Sequence, residues 1–318
     1  MKKRILLTKP NWPKNQTDSV KFWDTLNDCC SAHDVNIMPV QYGVNGTHAF
    51  HRYYSKNQKL YDLFIAHHPT SNGPKTIDYK QAYYSNLFYF DNNGYSGYSD
   101  LADTDFIDTK VSAKKVAKFC SDYVYPLCTE TKYGYKNTHP LEAKVPDKFI
   151  LVALQVEGDT VMKLKHRSSK YMIEAAVQTG RFMNLPVVVK FHPMARNNKE
   201  LHALIQRTKS GGFPIYESQG DIRQLIVRAE AVFVINSGVG FEALLHHKPV
   251  FTFGACDYNY IAHAVPGTPR EVASIIQDGP DVAQYERFFY SWWQQIVDVN
   301  QPGFKDKIQS RIDAKLES

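Results

Sequence analysis

The stretch Ala231–Gly254, AVFVINSGVGFEALLHHKPVFTFG, constrains the fold of this chain more than any other. Ala231–Ile235 is a continuous apolar run, the pattern of a parallel strand buried on both faces. Asn236-Ser237-Gly238-Val239-Gly240 is small and polar. Phe241–His246 begins a helix, and Lys248-Pro249 stops it. Val250–Phe253 is the next strand, ended by Gly254. Strand, glycine loop, short helix and strand in succession make a slice of an open α/β sheet. Ligands of such sheets bind outside the carboxyl ends of the strands. The N–H groups of Gly238, Val239 and Gly240, with the Ser237 hydroxyl, therefore predict an anion site at a helix N-terminus.

The second half keeps this rhythm. Phe149–Leu154, Pro186–Phe191 and Pro214–Glu217 read as strands, with helices over Ser168–Met183, Lys199–Thr208 and Asp221–Ala229. Pro269–Gln277 reads as a helix with Thr268 as N-cap and Pro269 at its first position. An aromatic helix over Val282–Val297 and a charged one over Lys305–Leu316 close the chain. The first half is less regular, with strands over Arg4–Thr8, Asn36–Val40, Leu60–Ala66 and Leu87–Phe90 and helices over Ser19–Ala32 and Ser112–Cys120. Strands alternating with helices predict an α/β protein. Tyr133–Asp147 carries Gly134, Asn137, Pro140 and Pro146 without periodicity and reads as a linker. The expected domains are 1–146 and 147–284, with closing helices over 285–318.

A length of 318 residues suits two domains. A net charge of +6 is compatible with an anionic ligand but too diffuse for nucleic acid. The five cysteines are odd in number and form no C-x-x-C, which fits a reduced, cytoplasmic setting. The apolar run Ile5–Leu7 is too short for a signal peptide, and no segment approaches the ~18 apolar residues of a membrane span. Tyrosines crowd the first half and predict a polar, carbohydrate-facing surface there as well as core packing. Phe288-Phe289-Tyr290 and Trp292-Trp293, with basic Lys2, Lys3 and Arg4, admit peripheral membrane contact; a packed core accounts for the same rings.

Three strand-exit loops of the second half carry polar residues at matching places: Gln155/Glu157/Asp159, Lys190/His192/Pro193, and Asn236/Ser237/Gly238/Gly240/Glu242. Parallel strands share one exit edge, so the three loops are expected to converge. His192 can donate to a phosphate or stabilise a departing phosphate oxygen, with Pro193 fixing the chain direction. The alternative is a loop histidine bonded to backbone. A carboxylate such as Glu157 or Asp159 can serve as a nucleophile or stabilise an oxocarbenium-like centre; the alternative is a cap or Asx turn. Gly238–Ala243 also satisfies G-x-G-x-x-A, with Asp257 downstream, but the helix is short and the motif lies late in the chain for a dinucleotide fingerprint. No His/Cys cluster has metal-ligand spacing, so neither metal nor cofactor is expected.

LQVEGD (a Q-x-x-x-D element), KFHP and NSGVGFEAL together resemble the capsule polysaccharide synthesis family of glycosyltransferases, which includes retaining β-Kdo transferases that use CMP-Kdo. The resemblance covers about Phe149–Asp257; in the first half, Phe90–Ala102 is similar to a first-domain loop of the family. It implies a GT-B-like fold: two Rossmann-like domains with parallel sheets and a cleft between them, with helices 285–318 packing back across. It further implies Asp159 as nucleophile with Gln155 beside it. His192, Pro193, Lys190, Asn236, Ser237, Gly238, Val239 and Gly240 would lie around the CMP phosphate, and Glu242 on the ribose. His68, Tyr95 and Tyr98 would bind the glycan or glycolipid acceptor. Asp91 is the general-acid candidate, although its loop is Asp-Asn-Asn-Gly without paired acidic residues, and His68 or Asp100 can substitute. The nearest enzyme variant is a CMP-sialic acid transferase. A non-catalytic nucleotide- or glycan-binding module and a dinucleotide-dependent enzyme are the other readings. Cytoplasmic placement, peripheral to the inner face of the membrane, would suit a glycolipid acceptor.

Overall fold

The computed structural model describes residues 2–12, 15–40, 53–68, 73–104, 110–128, 139–195, 197–264 and 267–318. The chain divides into two compact units, Met1–Thr104 with Trp292–Ser318, and Asp105–Ser291. The division falls inside the helix Val282–Gln295 and well before the linker expected at Tyr133–Asp147, of which 133–138 lie outside the described residues. Residues 110–128 go with the second unit for a physical reason. The Tyr125 hydroxyl donates to Glu286 Oε1 at 2.7 Å, and Arg287 Nη1 donates to the Val111 carbonyl at 3.3 Å.

The first unit holds β1 (Arg4–Pro10), β2 (Asp34–Val40), β3 (Leu63–His67), β4 (Thr76–Gln81) and β5 (Leu87–Asp91), and its sheet is completed by β12 (Val297–Asp298). The order is β12-β5-β4-β3-β1-β2. β2, β1, β3 and β4 are parallel, while β5 is antiparallel to both β4 and β12. The link 82–86 explains the reversal, because a connection that short closes a hairpin but not a parallel crossover. Helix Thr17–Cys30 turns Phe22, Trp23 and Leu26 onto Ile5, Leu7, Ile65 and Phe88, and the closing helix Phe304–Glu317 adds Ile308 and Ile312 to the same core. Many of the described tyrosines are interior. Tyr54, Tyr61, Tyr79, Tyr83, Tyr84, Tyr89 and Tyr95 are all buried, so the expected tyrosine surface is a packing feature. The aromatic cluster offered for membrane contact is interior except for the half-buried Tyr290. Phe288, Phe289, Trp292 and Trp293 are buried, and the Trp293 indole donates to Asp298 at 3.2 Å. Among the described residues no helix is long and apolar enough to cross a membrane.

The second unit holds β6 (Phe149–Ala153), β7 (Val187–Lys190), β8 (Ile215–Ser218), β9 (Ala229–Val234), β10 (Val250–Thr252) and β11 (His263–Ala264). Every pairing is parallel, in the order β11-β10-β9-β6-β7-β8. Renumbered from its own first strand, this is 3-2-1-4-5-6, the Rossmann order. The apolar runs are buried as their composition requires, with Ile150, Val152, Val187, Val189, Ala231 and Phe233 inside one core. The helices begin where the sequence supplies caps. Ser168, Asn198, Asp221, Ser237 and Thr268 each accept from an amide in the first turn, and Thr268 with Glu271 forms a full capping box.

Candidate functional site

In the second sheet the chain steps outward one way through β6, β7 and β8 and the other way through β9, β10 and β11. The β6 and β9 exits flank the topological switch point, where open sheets of this kind bind ligands. Two amides join those exits. Gln155 Nε2 donates to Asn236 Oδ1 at 3.0 Å, and the Asn236 N–H donates back to Gln155 Oε1 at 3.0 Å. Asn236 Nδ2 donates to the carbonyls of Val161 at 2.8 Å and Ala255 at 3.1 Å. Asn236 is 3% exposed, and both of its amide hydrogens are spent inside the protein. Read from the sequence as a nucleotide contact, it is placed by the structure as a tie between loops.

Asp159 is exposed and caps the 3-10 turn Thr160–Leu164, with Oδ1 accepting from Val161 N–H at 3.4 Å. Glu157 accepts from the Ser169 hydroxyl at 2.6 Å and pairs with Lys165 at 3.2 Å. The β6 and β7 exits share a cavity of about 580 Å³, lined in part by Gln155, Glu157, Phe191, Met194 and Asn198. At the β7 exit, the His192 ring accepts at Nδ1 from the Met194 N–H at 3.2 Å. That bond puts the proton of the neutral ring on Nε2. Lys190 is buried and its ammonium donates to the Gly220 carbonyl at 2.6 Å, which ties β7 to the loop after β8. Pro193 is exposed on the turn.

Ser237 caps the helix Gly238–Leu245, accepting from Val239 N–H at 3.2 Å, and its carbonyl accepts from Gly240 N–H at 2.8 Å. The Tyr258 hydroxyl donates to the Ser237 carbonyl at 2.5 Å and leaves no room for a Cβ at residue 240. The second glycine of G-x-G-x-x-A is thus required by Tyr258. The motif also follows the fourth strand of its sheet, whereas the dinucleotide fingerprint occupies the first strand–helix turn. Glu242 is buried on the same helix.

In the first unit, Asp91 ends an antiparallel strand. It lies opposite Asp78, while His67 lies opposite Tyr79, so the chain leaves Asp91 toward the edge away from His67. Its carboxylate organises the following loop. It accepts from the amides of Asn93 at 2.8 Å, Gly94 at 3.1 Å and Asp100 at 3.1 Å, and from the Ser99 hydroxyl at 2.7 Å. Burial pushes its carboxyl above the ordinary range, against the pull of the Asn93 amide and the Ser99 hydroxyl. With Asp100, Arg311 and Lys315 it lines a cavity of about 380 Å³. The loop then folds back, so that Tyr95 packs on His68 with ring centroids 4.7 Å apart and Tyr98 packs on Tyr95 at 6.2 Å. The Lys80 ammonium lies 3.8 Å from the Tyr95 ring centre. Burial, then the Lys80 charge, lowers His68 to a pKa of about 3, so it is a neutral imidazole near pH 7.

The sequence reading missed Tyr258, Lys80 and Glu142. Glu142 accepts from the Ser218 hydroxyl at 2.5 Å and the Gln219 N–H at 2.8 Å. Partial burial opposes its ionisation, but these bonds outweigh it and hold the carboxyl below its usual range. No local motif announces any of the three, since each acts on a residue distant in sequence.

A sequence model of the family described as "Capsule polysaccharide biosynthesis protein" matches residues 78–263, more than half of the chain. The chain belongs to this family. The matched span runs from β4 to β11 and contains every candidate above except His68. Capsule polysaccharide export protein KpsS of Escherichia coli is 28% identical over 127 residues, 36% of this chain and 32% of that protein. The chain thus matches about a third of that curated relative's length. Two solved structures of Thermosulfurimonas dismutans KpsC resemble the whole chain. One, described as a beta Kdo 2,7 transferase, has a TM-score of 0.54 at 15% identity and covers 98% of this chain and 99% of its own. The other, a beta Kdo 2,4 transferase, has a TM-score of 0.53 at 12% identity and covers 91% and 90%. At these identities the likeness is one of fold. The fold is GT-B-like, with two Rossmann-like sheets.

Proposed function

We propose that the protein is a glycosyltransferase that moves Kdo from CMP-Kdo to a glycan or glycolipid acceptor with retention. One observation carries the proposal: in a chain of the capsule polysaccharide family, three polar loops leave one edge of a Rossmann-ordered sheet and two are tied together at its switch point. In the proposed reaction an Asp159 oxygen attacks the anomeric carbon as the bond to the CMP phosphate oxygen breaks. CMP leaves with the bonding pair, its charge met by His192 and the Ser237 helix N-terminus. An acceptor hydroxyl then displaces Asp159 from the opposite side and gives its proton to a base, which restores the original configuration. Glu242 is the proposed ribose contact, and His68, Tyr95 and Tyr98 the acceptor contacts. The scheme calls for no metal or cofactor, and cytoplasmic action beside the membrane suits a glycolipid acceptor.

Release of CMP from CMP-Kdo and from CMP-sialic acid, with and without acceptor glycans, tests the proposal. Release from CMP-Kdo is expected; release from CMP-sialic acid alone changes the sugar, and release from neither overturns the reading. Asp159→Ala is expected to lower turnover by ~10³-fold or more while CMP still binds. Retained turnover would remove Asp159 from the nucleophile role.

One set of observations favours the non-catalytic module instead. Asp91 is engaged by its own loop, Asp159 by its own turn, and His68 is held neutral, so three candidate proton or nucleophile groups have local employment. CMP binding without turnover of any CMP-sugar would decide for that module.

A further inference from the structure

We infer that Gln155 and Asn236 form a positioning lock that sets the Asp159 turn against the Ser237 helix, and that neither side chain is a substrate contact. The inference rests on the glycosyltransferase reading. Asn236 reaches three segments at once. Its Nδ2 holds the Val161 carbonyl, inside the turn that Asp159 caps, and the Ala255 carbonyl, at the β10 exit. Its Oδ1 and backbone N–H hold Gln155 at the β6 exit. Ser237, the next residue, caps the helix read as the phosphate site. The distance between nucleophile turn and phosphate loop therefore passes through one buried amide.

The bond pattern also fixes the orientation of that amide. Asn236 cannot flip, because its oxygen would then face two carbonyl oxygens. Gln155 must in turn present its N–H to Asn236 Oδ1. The Asn236 amide, with both N–H donors and its oxygen committed in this way, behaves as a rigid part, and its disruption leaves buried groups unpaired.

Gln155→Glu tests the lock. The ionised carboxylate still accepts from the Asn236 N–H, but its other oxygen meets Asn236 Oδ1, acceptor against acceptor. Protonation restores an O–H donor at that place. Turnover of CMP-Kdo by Gln155→Glu, relative to wild type at the same pH, is expected to rise about tenfold from pH 8 to pH 5.5. The dissociation constant for CMP is expected to change less than about threefold. Gln155→Met, which has no donor at either pH, should stay low throughout. A flat ratio for Gln155→Glu, or a loss of CMP binding as large as the loss of turnover, overturns the inference; the second outcome would make Gln155 a nucleotide contact. A wild-type protein that turns over no CMP-sugar sinks the transferase reading alone. The lock is then read from thermal melting, where the deficit of Gln155→Glu against wild type shrinks from pH 8 to pH 5.5; an unchanged deficit would sink the lock as well.

Discussion

The two sheets solve the same problem, holding polar loops at strand ends, by different means. In the second sheet every strand is parallel, and the loops are held by short-range caps and by one amide pair between neighbouring exits. In the first sheet β5 runs backwards and the last strand of the chain completes the edge. Its loop is held by the carboxylates of Asp91 and Asp100 and by the closing helix, from which Lys315 donates to Asn92 at 3.1 Å. The second sheet joins capped helix starts through ties between exits far apart in sequence, whereas the first pins a loop built on its own Asp91 with the closing helix of the chain.

The largest expected effect breaks the two units apart. Phe88 on β5 is fully buried, stacks on Phe22 at 4.3 Å and pairs with Val297 of β12. Phe88→Ala should destabilise the first unit by ~3–5 kcal/mol. Amide hydrogen exchange read by segment should then speed up over 4–104 and 292–318 and stay unchanged over β6 to β10. Equal acceleration in both units would mean that they unfold together and would remove the contrast between them.

The same contrast decides what could be read from the sequence. β6, β7 and β9 are legible because burial on both faces demands unbroken apolar runs, and Thr268 with Pro269 marks a helix start by residue type. β4, Thr76–Gln81, is not legible in this way, because its alternation of Ile77 and Tyr79 with Asp78 and Lys80 lacks such a run, although Asp78 is itself buried. Without an apolar run at β4 the short link 82–86 carries no hairpin signal, and Asp91 reads as an ordinary strand exit. The segment 110–128 sat in the wrong half of the sequence division because its partners, Glu286 and Arg287, come late in the chain. At the site, the nearness of the β6 exit to its β7 and β9 neighbours is legible in strand direction. The saturation of Asn236 is not, because its partners Val161 and Ala255 are backbone carbonyls that no residue type reveals.

A smaller effect separates packing from ligand approach at the glycine loop. An added methyl at Gly240 would collide with the Tyr258 hydroxyl, which itself donates to the Ser237 carbonyl. Gly240→Ala should therefore cost ~1–3 kcal/mol of stability. Tyr258→Phe removes the obstructing oxygen at the loss of one hydrogen bond, so the double variant should be more stable than the sum of the two losses predicts. Thermal melting of the four proteins closes the cycle. Full additivity, with ligand affinity reduced and stability untouched in Gly240→Ala, would return the glycine to the role of a close backbone approach for phosphate.

The last effect is read from pH and concerns the closing helix of the first unit, where Lys307 reaches the carbonyls of Trp293 and Ile296. Burial, then the nearby Arg311 charge, lowers Lys307 to a pKa of about 7, against a weaker opposing pull from Asp298. A neutral amine has two N–H donors, and two carbonyls receive them, so the site suits the uncharged form. The unfolded chain keeps an ordinary lysine, protonated up to about pH 10.4. Between pH 7 and that value the unfolded state binds the extra proton, and stability must rise with pH. Below pH 7 both states are protonated and the dependence vanishes. Wild type minus Lys307→Met, followed by urea unfolding from pH 6 to 9.5, should be flat at first. It should then climb with a slope of at most ~1.4 kcal/mol per pH unit, the limit set by one proton. A difference that stays flat throughout would mean that Lys307 keeps its charge in contact with water and that the closing helix is held by Ile308, Ile312 and Arg311 instead. A difference that falls with pH would mean that the charged form is the one favoured, as it would be if Asp298 outweighed burial.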